Sequence, residues 1–196
     1  MTDDELLRQQ HSLQIEAKEV ADELQLDELL TTVGEPTRVG SSALGLMVWR
    51  DLDITVVCSS LNKENIAHIA REMMVRRGVR ELRFLNDSGS LKMDSDYPDG
   101  LYLGIKYRSL NGADWKLDIW FVDEPEKQPD LQHIKTMPAR ITPELRKSIL
   151  NIKRVWSTRV EYGKQVTSYD IYTAVLDDDI RTLSQFDEWL RNKSTK

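Results

Sequence analysis

With 196 residues, 40% of them hydrophobic, the chain has enough apolar side chain for one sizeable core, which excludes disorder as its ground state. Its 27 basic and 33 acidic residues leave a net charge of −6, so composition offers no footprint for sequence-independent DNA binding. No apolar run approaches the ~20 residues of a membrane span, and the opening MTDDELLRQQ is acidic where a secretory leader is basic; the expectation is a cytoplasmic protein with no membrane partner.

From Asp3 to about Leu30, Leu6, Leu13, Ile15, Val20, Ala21, Leu24 and Leu26 recur at mostly helical spacings between charged residues, which predicts one long or broken helix. GEPTRVG reads as a short strand rising to Gly40, and SSALGLMVW as a brief helix or turn. DLDITVVC alternates Asp51, Asp53, Thr55 and Val57 with Leu52, Ile54, Val56 and Cys58 and is rich in β-branched residues, so it predicts a strand with two carboxylates on one face. Cys58, the only cysteine, can form no disulfide within the chain and is expected as a buried, unreactive thiol.

Asn62 is placed to cap a helix running to about Arg77, with Ile66, Ile69, Ala70, Met73 and Met74 at helical spacing and Gly78 as its stop. VRELRFL follows as a strand, and Asn86 to Gly100 reads as a polar surface loop. LYLGIKYRS and DWKLDIWFV flank LNGA, whose Asn111-Gly112 pair favours the positive φ angles of a tight turn, so an antiparallel hairpin is expected. Glu124 to Arg140, with three prolines, reads as a linker. Thr142 and Pro143 then open a helix, SYDIYTAVLDDDI reads as a short helix capped by Ser168, and Thr182 with Gln185 forms a capping-box pattern before FDEWL. A helix, a mixed middle and a helical end together predict an α+β fold.

Asp51 and Asp53 stand about 7 Å apart at ~3.3 Å rise per residue, and like charges so close repel unless a cation lies between them. Hard oxygen ligands of this kind suit magnesium, or manganese. Asp118 is the third candidate: Leu117, Ile119 and Phe121 take one strand face and leave this acid on the other, whereas Asp114 and Asp123 at the strand ends read as solvated. If the two strands are neighbours, the three acids converge, as in sites with two metals ~3.5–4 Å apart. Gly40 and Ser41, between a strand and a helical turn, offer free backbone N–H groups suited to a phosphate. Lys106 or Arg108 is either a partner for phosphate charge or an exposed strand residue, and Tyr169 and Tyr172 are either packing aromatics or base-stacking ones. His11, His68 and His133 lack zinc-like spacing, and neither Gly-x-Ser-x-Gly nor a Walker pattern is present.

VGSSALG followed by RDLDITV resembles the nucleotidyltransferase superfamily, especially its minimal and antibiotic-modifying members. Their pattern is a hydrophobic residue, Gly, Ser, a spacer of about ten residues, Asp-x-Asp in a strand and a later Asp in another. Val39, Gly40, Ser41, nine intervening residues, Asp51, Asp53 and Asp118 follow it, and Ala43 and Gly45 also look like those of minimal members. Ser42 stands where many minimal members have arginine, and Trp49 and Arg50 where small polar residues are frequent. The resemblance covers residues 36 to 122. It implies a small mixed-sheet core at 36–123, between an N-terminal helical segment (1–35) and a C-terminal helical region (141–196).

Carried over, Gly40 and Ser41, with Ser42 beside them, hold the terminal phosphates of a nucleoside triphosphate. Asp51 and Asp53 bind magnesium, and Asp118 activates the acceptor and is a further metal ligand. The implied reaction moves a nucleoside monophosphate, expected to be AMP, to a hydroxyl of a small molecule such as an aminoglycoside or lincosamide. The alternatives are a toxin-antitoxin type enzyme acting on protein or tRNA, and a non-catalytic nucleotide-binding regulatory protein.

Overall fold

A computed structural model describes residues 2–92 and 97–193. Its centre is a sheet of five strands, β1 (Glu35–Val39), β2 (Asp51–Val57), β3 (Val79–Asp87), β4 (Gly100–Arg108) and β5 (Asp114–Val122), in the order β1-β2-β5-β4-β3. β2 and β5 run parallel while every other neighbouring pair is antiparallel, so the sheet is mixed. The helices are α1 (Asp3–Glu23), α2 (Leu26–Leu30), α3 (Gly40–Leu44), α4 (Lys63–Met74), α5 (Pro129–Thr136), α6 (Pro143–Trp156), α7 (Ser168–Leu176) and α8 (Leu183–Lys193). The expected α+β architecture is the one observed: an N-terminal helix, a small mixed sheet and helices at the C-terminal end.

Strand alternation sorts the sheet into two chemically different faces. Leu52, Ile54, Val56, Leu101, Leu103, Ile105, Leu117, Ile119 and Phe121 are buried together, in one cluster with Leu13, Ala17 and Val20 of α1 and Ile66, Ile69 and Met73 of α4. Each fully buried Leu, Ile or Val contributes about 1.5–3 kcal/mol. The other face carries Asp51, Asp53, Tyr102, Lys116, Asp118 and Trp120, because strand partners in register share a face. A second apolar cluster joins Leu6 of α1 and Leu44 of α3 to Ile149, Leu150, Ile152 and Trp156 of α6, Ile171 and Val175 of α7 and Phe186 of α8. Thus α1 packs into both cores, and the acids of the polar face meet a cleft walled by α3, α5, α6 and α7.

Local chemistry explains where the expected elements hold and where they shift. The N-terminal helix is the broken form, turning at Gln25 with φ 44°. Asn62 caps α4, its side chain accepting from Glu64 N at 2.9 Å and Asn65 N at 3.2 Å. Of the loop expected from Asn86 to Gly100, Asn86 and Asp87 finish β3, Gly89–Leu91 form a 3-10 turn, and residues 93–96 lie outside the described residues. The hairpin between β4 and β5 turns on Gly112, with φ 86°.

Two expectations need correction. Residues 124–140 are not a plain linker: Pro125, Pro129 and Pro138 each open a helix or 3-10 turn, a position where the missing N–H has no partner to lose. The cap of α7 is Thr167, not Ser168. Thr167 Oγ1 accepts from Asp170 N at 3.3 Å and the Asp170 carboxylate accepts from Thr167 N at 2.8 Å, while the Ser168 hydroxyl meets that of Tyr162 at 2.6 Å. Thr182 and Gln185 do form the expected reciprocal box at α8, with contacts of 3.0 and 3.3 Å. Cys58 is buried. Among the described residues, no helix is long and apolar enough to cross a membrane.

Candidate active site

The parallel register of β2 and β5 sets Asp53 directly beside Asp118 and Asp51 beside Lys116. One carboxylate oxygen each from Asp51, Asp53 and Asp118 lies within 4.8 Å of the other two. Burial pushes Asp53 well above the usual carboxylate range, and repulsion from Asp51, Asp118 and Asp130 adds to it, with Lys153 opposing. Asp51 is also raised by burial; Lys116 offsets part of this and Asp118 adds to it. Oδ1 of Asp51 is buried without a hydrogen-bond partner and lies 3.9 Å from the Lys116 ammonium. Burial draws Lys116 down, but Asp51 and Asp118 outweigh it and hold the ammonium above its ordinary value.

Three converging carboxylates, one of them carrying an orphaned oxygen, and charges that repel one another make a site that fits a hard divalent cation. Asp118 is held at both oxygens, Oδ1 accepting from the Tyr102 hydroxyl and Oδ2 from Lys116. Asp114 and Asp123 are exposed, as their strand-end positions predict.

Gly40 closes one side of the triad. Its φ is 61°, and a Cβ there would stand 2.2 Å from Oδ2 of Asp53. Only glycine satisfies both conditions. Gly40→Ala is therefore expected to lower stability by about 1–3 kcal/mol of backbone and contact strain, and to weaken metal binding as Asp53 is pushed aside. Denaturant titration and Mn2+ titration of the same variant check the two effects; a fold and a Mn2+ affinity both equal to the parent's would remove Gly40 from the site.

Ser41 is buried in the cleft wall, and its carbonyl accepts from Leu46 N at 2.9 Å. Ser42 turns away from the cleft: its hydroxyl donates to Val39 O at 3.2 Å, and its carbonyl accepts from Gln14 of α1 at 2.8 Å. The turn that follows is clamped from α6, by Arg146 donating to Leu44 O at 2.8 Å and by Lys153 donating to Leu46 O at 3.0 Å. These bonds hold the Gly40–Ser41 segment against β2 by groups distant in sequence.

The cleft has a volume of 540 Å³ and is lined by Gly40, Ser41, Asp51 and Asp53 on the sheet side and by Trp49, His133, Lys153, Tyr169 and Tyr172 among the residues opposite. Lys153 is 1% exposed, its Nζ 3.3 Å from the Tyr172 hydroxyl and 4.9 Å from the centre of the Trp49 ring. Burial draws its ammonium from the ordinary 10.5 down to about 8, against the opposing pull of Asp53 and Asp51. Tyr169, half exposed, stacks on His133 with centroids 4.5 Å apart; Tyr172 is buried.

Lys106 and Arg108 take the exposed alternative, paired with Glu81 at 2.6 Å and Asp114 at 2.7 Å. The cations beside the acids are Lys116 and Lys153, neither of which the sequence reading singled out. A signal existed for Lys153: it sits in the apolar stripe Ile149, Ile152, Trp156 of α6, where a lysine has no place without a function or a partner.

No family model and no curated protein matches the chain. Solved structures do. Cid1, described for its RNA terminal uridylyl transferase activity, matches with a TM-score of 0.60 and 18% identity over 83% of this chain and 46% of that one. A cytoplasmic RNA terminal U-transferase matches at 0.54 and 20% identity, over 88% and 54% of the two chains. The Cid1 poly(U) polymerase with MgGTP bound matches at 0.56 and 20% identity, over 89% and 56%. The chain spans about half the length of these structures. The likeness is one of fold: over 83–89% of its length the chain shares the fold of these solved transferase structures.

Proposed function

We propose that this chain is a divalent-metal-dependent nucleotidyltransferase that moves a nucleoside monophosphate, AMP as the first choice, from a nucleoside triphosphate to a hydroxyl of a small molecule. The observation that carries this reading is the convergence of Asp51, Asp53 and Asp118 beside Gly40, at a cleft that also holds the buried ammonium of Lys153. Asp51, Asp53 and Asp118 would hold magnesium or manganese, which when bound stabilises the oxygens that gain charge in an in-line displacement.

The chain's own groups do the rest. Lys153 and the Gly40–Ser41 wall receive the terminal phosphates, and the exposed ring of Tyr169, braced by His133, offers a flat face for the base. Asp118 takes the proton of the acceptor hydroxyl as its oxygen bonds to the α-phosphorus; the bond from that phosphorus to the bridging oxygen breaks, and pyrophosphate leaves. Magnesium and nucleoside triphosphates are at hand in the cytoplasm, where this reading places the protein.

A second reading, an RNA such as tRNA as acceptor, has its own support. Arg50, Arg80, Lys106 and Lys116 line a groove of 570 Å³ with only Glu81 and Asp114 as acids, and Lys116 brings that groove to the triad. The solved neighbours are RNA terminal uridylyl transferases, which adds UTP to the triphosphates worth testing.

The test is pyrophosphate release with labelled ATP and UTP against separate pools of hydroxylated small molecules, tRNA and protein. Label on a small molecule supports the first reading, and label on RNA the second. Triphosphate binding with no pyrophosphate from any pool would make the chain a non-catalytic nucleotide-binding protein. Asp118→Asn, nearly isosteric, is expected to keep the parent's melting temperature and lose ~10²–10⁴-fold in kcat, the usual cost of a missing general base. Unchanged turnover would free Asp118 of that role.

A further inference from the structure

In β4, the site-facing residues read Gly100, Tyr102, Gly104, Lys106, and the register pairs Tyr102 with Trp120 and Gly104 with Asp118. Asp118 is thus a diagonal neighbour of Tyr102, a separation that an aromatic side chain can cross. It can cross here because position 104 has no side chain: a Cβ there would stand 2.4 Å from the Tyr102 hydroxyl and 2.9 Å from Cζ. The Trp120 ring supports the tyrosine, with centroids 5.0 Å apart and planes tilted by 44°.

The two oxygens of Asp118 therefore meet different partners. Oδ1 accepts from a hydroxyl on a ring packed into the sheet, whereas Oδ2 accepts from Lys116, a flexible side chain 56% exposed. A carboxylate turns easily about its last bond, and one fixed hydrogen bond removes that freedom. We propose that Tyr102, seated over Gly104, is a positioning residue that holds Oδ1 of Asp118 and leaves Oδ2 as the oxygen presented to a metal ion and to the acceptor proton. The inference rests on the transferase reading for its catalytic half and on the geometry of the triad alone for its metal-binding half.

Tyr102→Phe keeps the ring against Trp120 and removes a single oxygen. Without metal, the full chain carrying it should melt within about 2 °C of the parent. Mn2+ binding, followed by electron paramagnetic resonance, should weaken about tenfold. At saturating metal, the KM for ATP should stay within about threefold while kcat falls about 10–100-fold, as for other partners that orient a ligand. Gly104→Ala should reproduce these losses with the ring present, and the double variant should lose no more than the worse single one.

Unchanged Mn2+ affinity and kcat in Tyr102→Phe would overturn the proposal, as would fully additive losses in the double variant, or a fall in melting temperature that accounts for the lost activity. A parent that binds Mn2+ but transfers no nucleotide sinks the transferase reading alone, and the Mn2+ affinities still decide the positioning. A parent that binds no Mn2+ overturns both.

Discussion

Asp53→Asn is expected to melt above the parent in chelator at pH 7 and to lack the thermal shift that magnesium and triphosphate are expected to give the parent. Burial and three neighbouring acids raise Asp53 well above the ordinary carboxylate value of 3.8. Above that value the unfolded chain gives up this proton before the folded one does, so the contribution of Asp53 to stability falls as pH rises. The metal-free parent should therefore gain stability from this group on going from pH 7 to pH 5, and the asparagine variant should lack that gain. In a chain of this size each kcal/mol of relieved repulsion is worth about 2–4 °C.

A bound divalent cation reverses the sign, because it needs the ionised carboxylate and favours the form that burial penalises. At a hundredfold excess over Kd the bound ligand adds about 2.7 kcal/mol to the parent, and asparagine, with no charge to offer, should forfeit most of it. Scanning fluorimetry of both proteins, in chelator and in magnesium with ATP, from pH 5 to 7 reads all of this. An asparagine variant that melts lower in chelator and keeps the magnesium shift would take Asp53 out of the metal site.

The acids were legible because each breaks a local pattern. Asp51 and Asp53 open a β-branched strand that disfavours them, and Asp118 interrupts an apolar one. Which strands lie side by side was not written in either segment. The parallel pairing of β2 with β5 joins Asp53 to Asp118 across α4 and two further strands, and no spacing rule predicts its register. Tyr102 was invisible for the same reason, since its reach to Asp118 depends on which residue stands opposite Gly104. Glu124 to Arg140 misled in another way: prolines that break a helix interior also begin helices, and only the packed structure shows that three of them do so here. The overall α+β order came through because the hydrophobic periods of β2, β4, β5, α4 and α6 differ sharply from one another in kind, 2 for the strands and 3.6 for the helices.

Lys153 does not stand out in the sequence because a lysine is by default a surface residue, and its burial gives the second large effect. Its ammonium is drawn from 10.5 to about 8, so near pH 8 it is the group in the cleft poised to lose its charge. Between those two values the unfolded chain holds a proton that the folded chain has released, so raising pH through this window makes Lys153 less of a burden on stability. A triphosphate needs the opposite form. Its phosphates are fully ionised by then, and each ligand bound to a neutral lysine forgoes a charged hydrogen bond.

Triphosphate affinity in the parent is therefore expected to be level up to about pH 8 and to fall beyond it, by up to tenfold per pH unit as one proton is lost. Lys153→Met should bind ATP roughly 10–100-fold more weakly at pH 7, in line with the ~1.5–3 kcal/mol of a charged hydrogen bond, and its affinity should be flat from pH 7 to 10. The difference in stability between the two proteins should meanwhile shift in favour of the parent as pH rises. Isothermal titration with ATP and magnesium, set beside melting curves over the same range, reads the two trends together. Parallel pH profiles in parent and variant would show that the buried ammonium of α6 serves the fold and not the nucleotide.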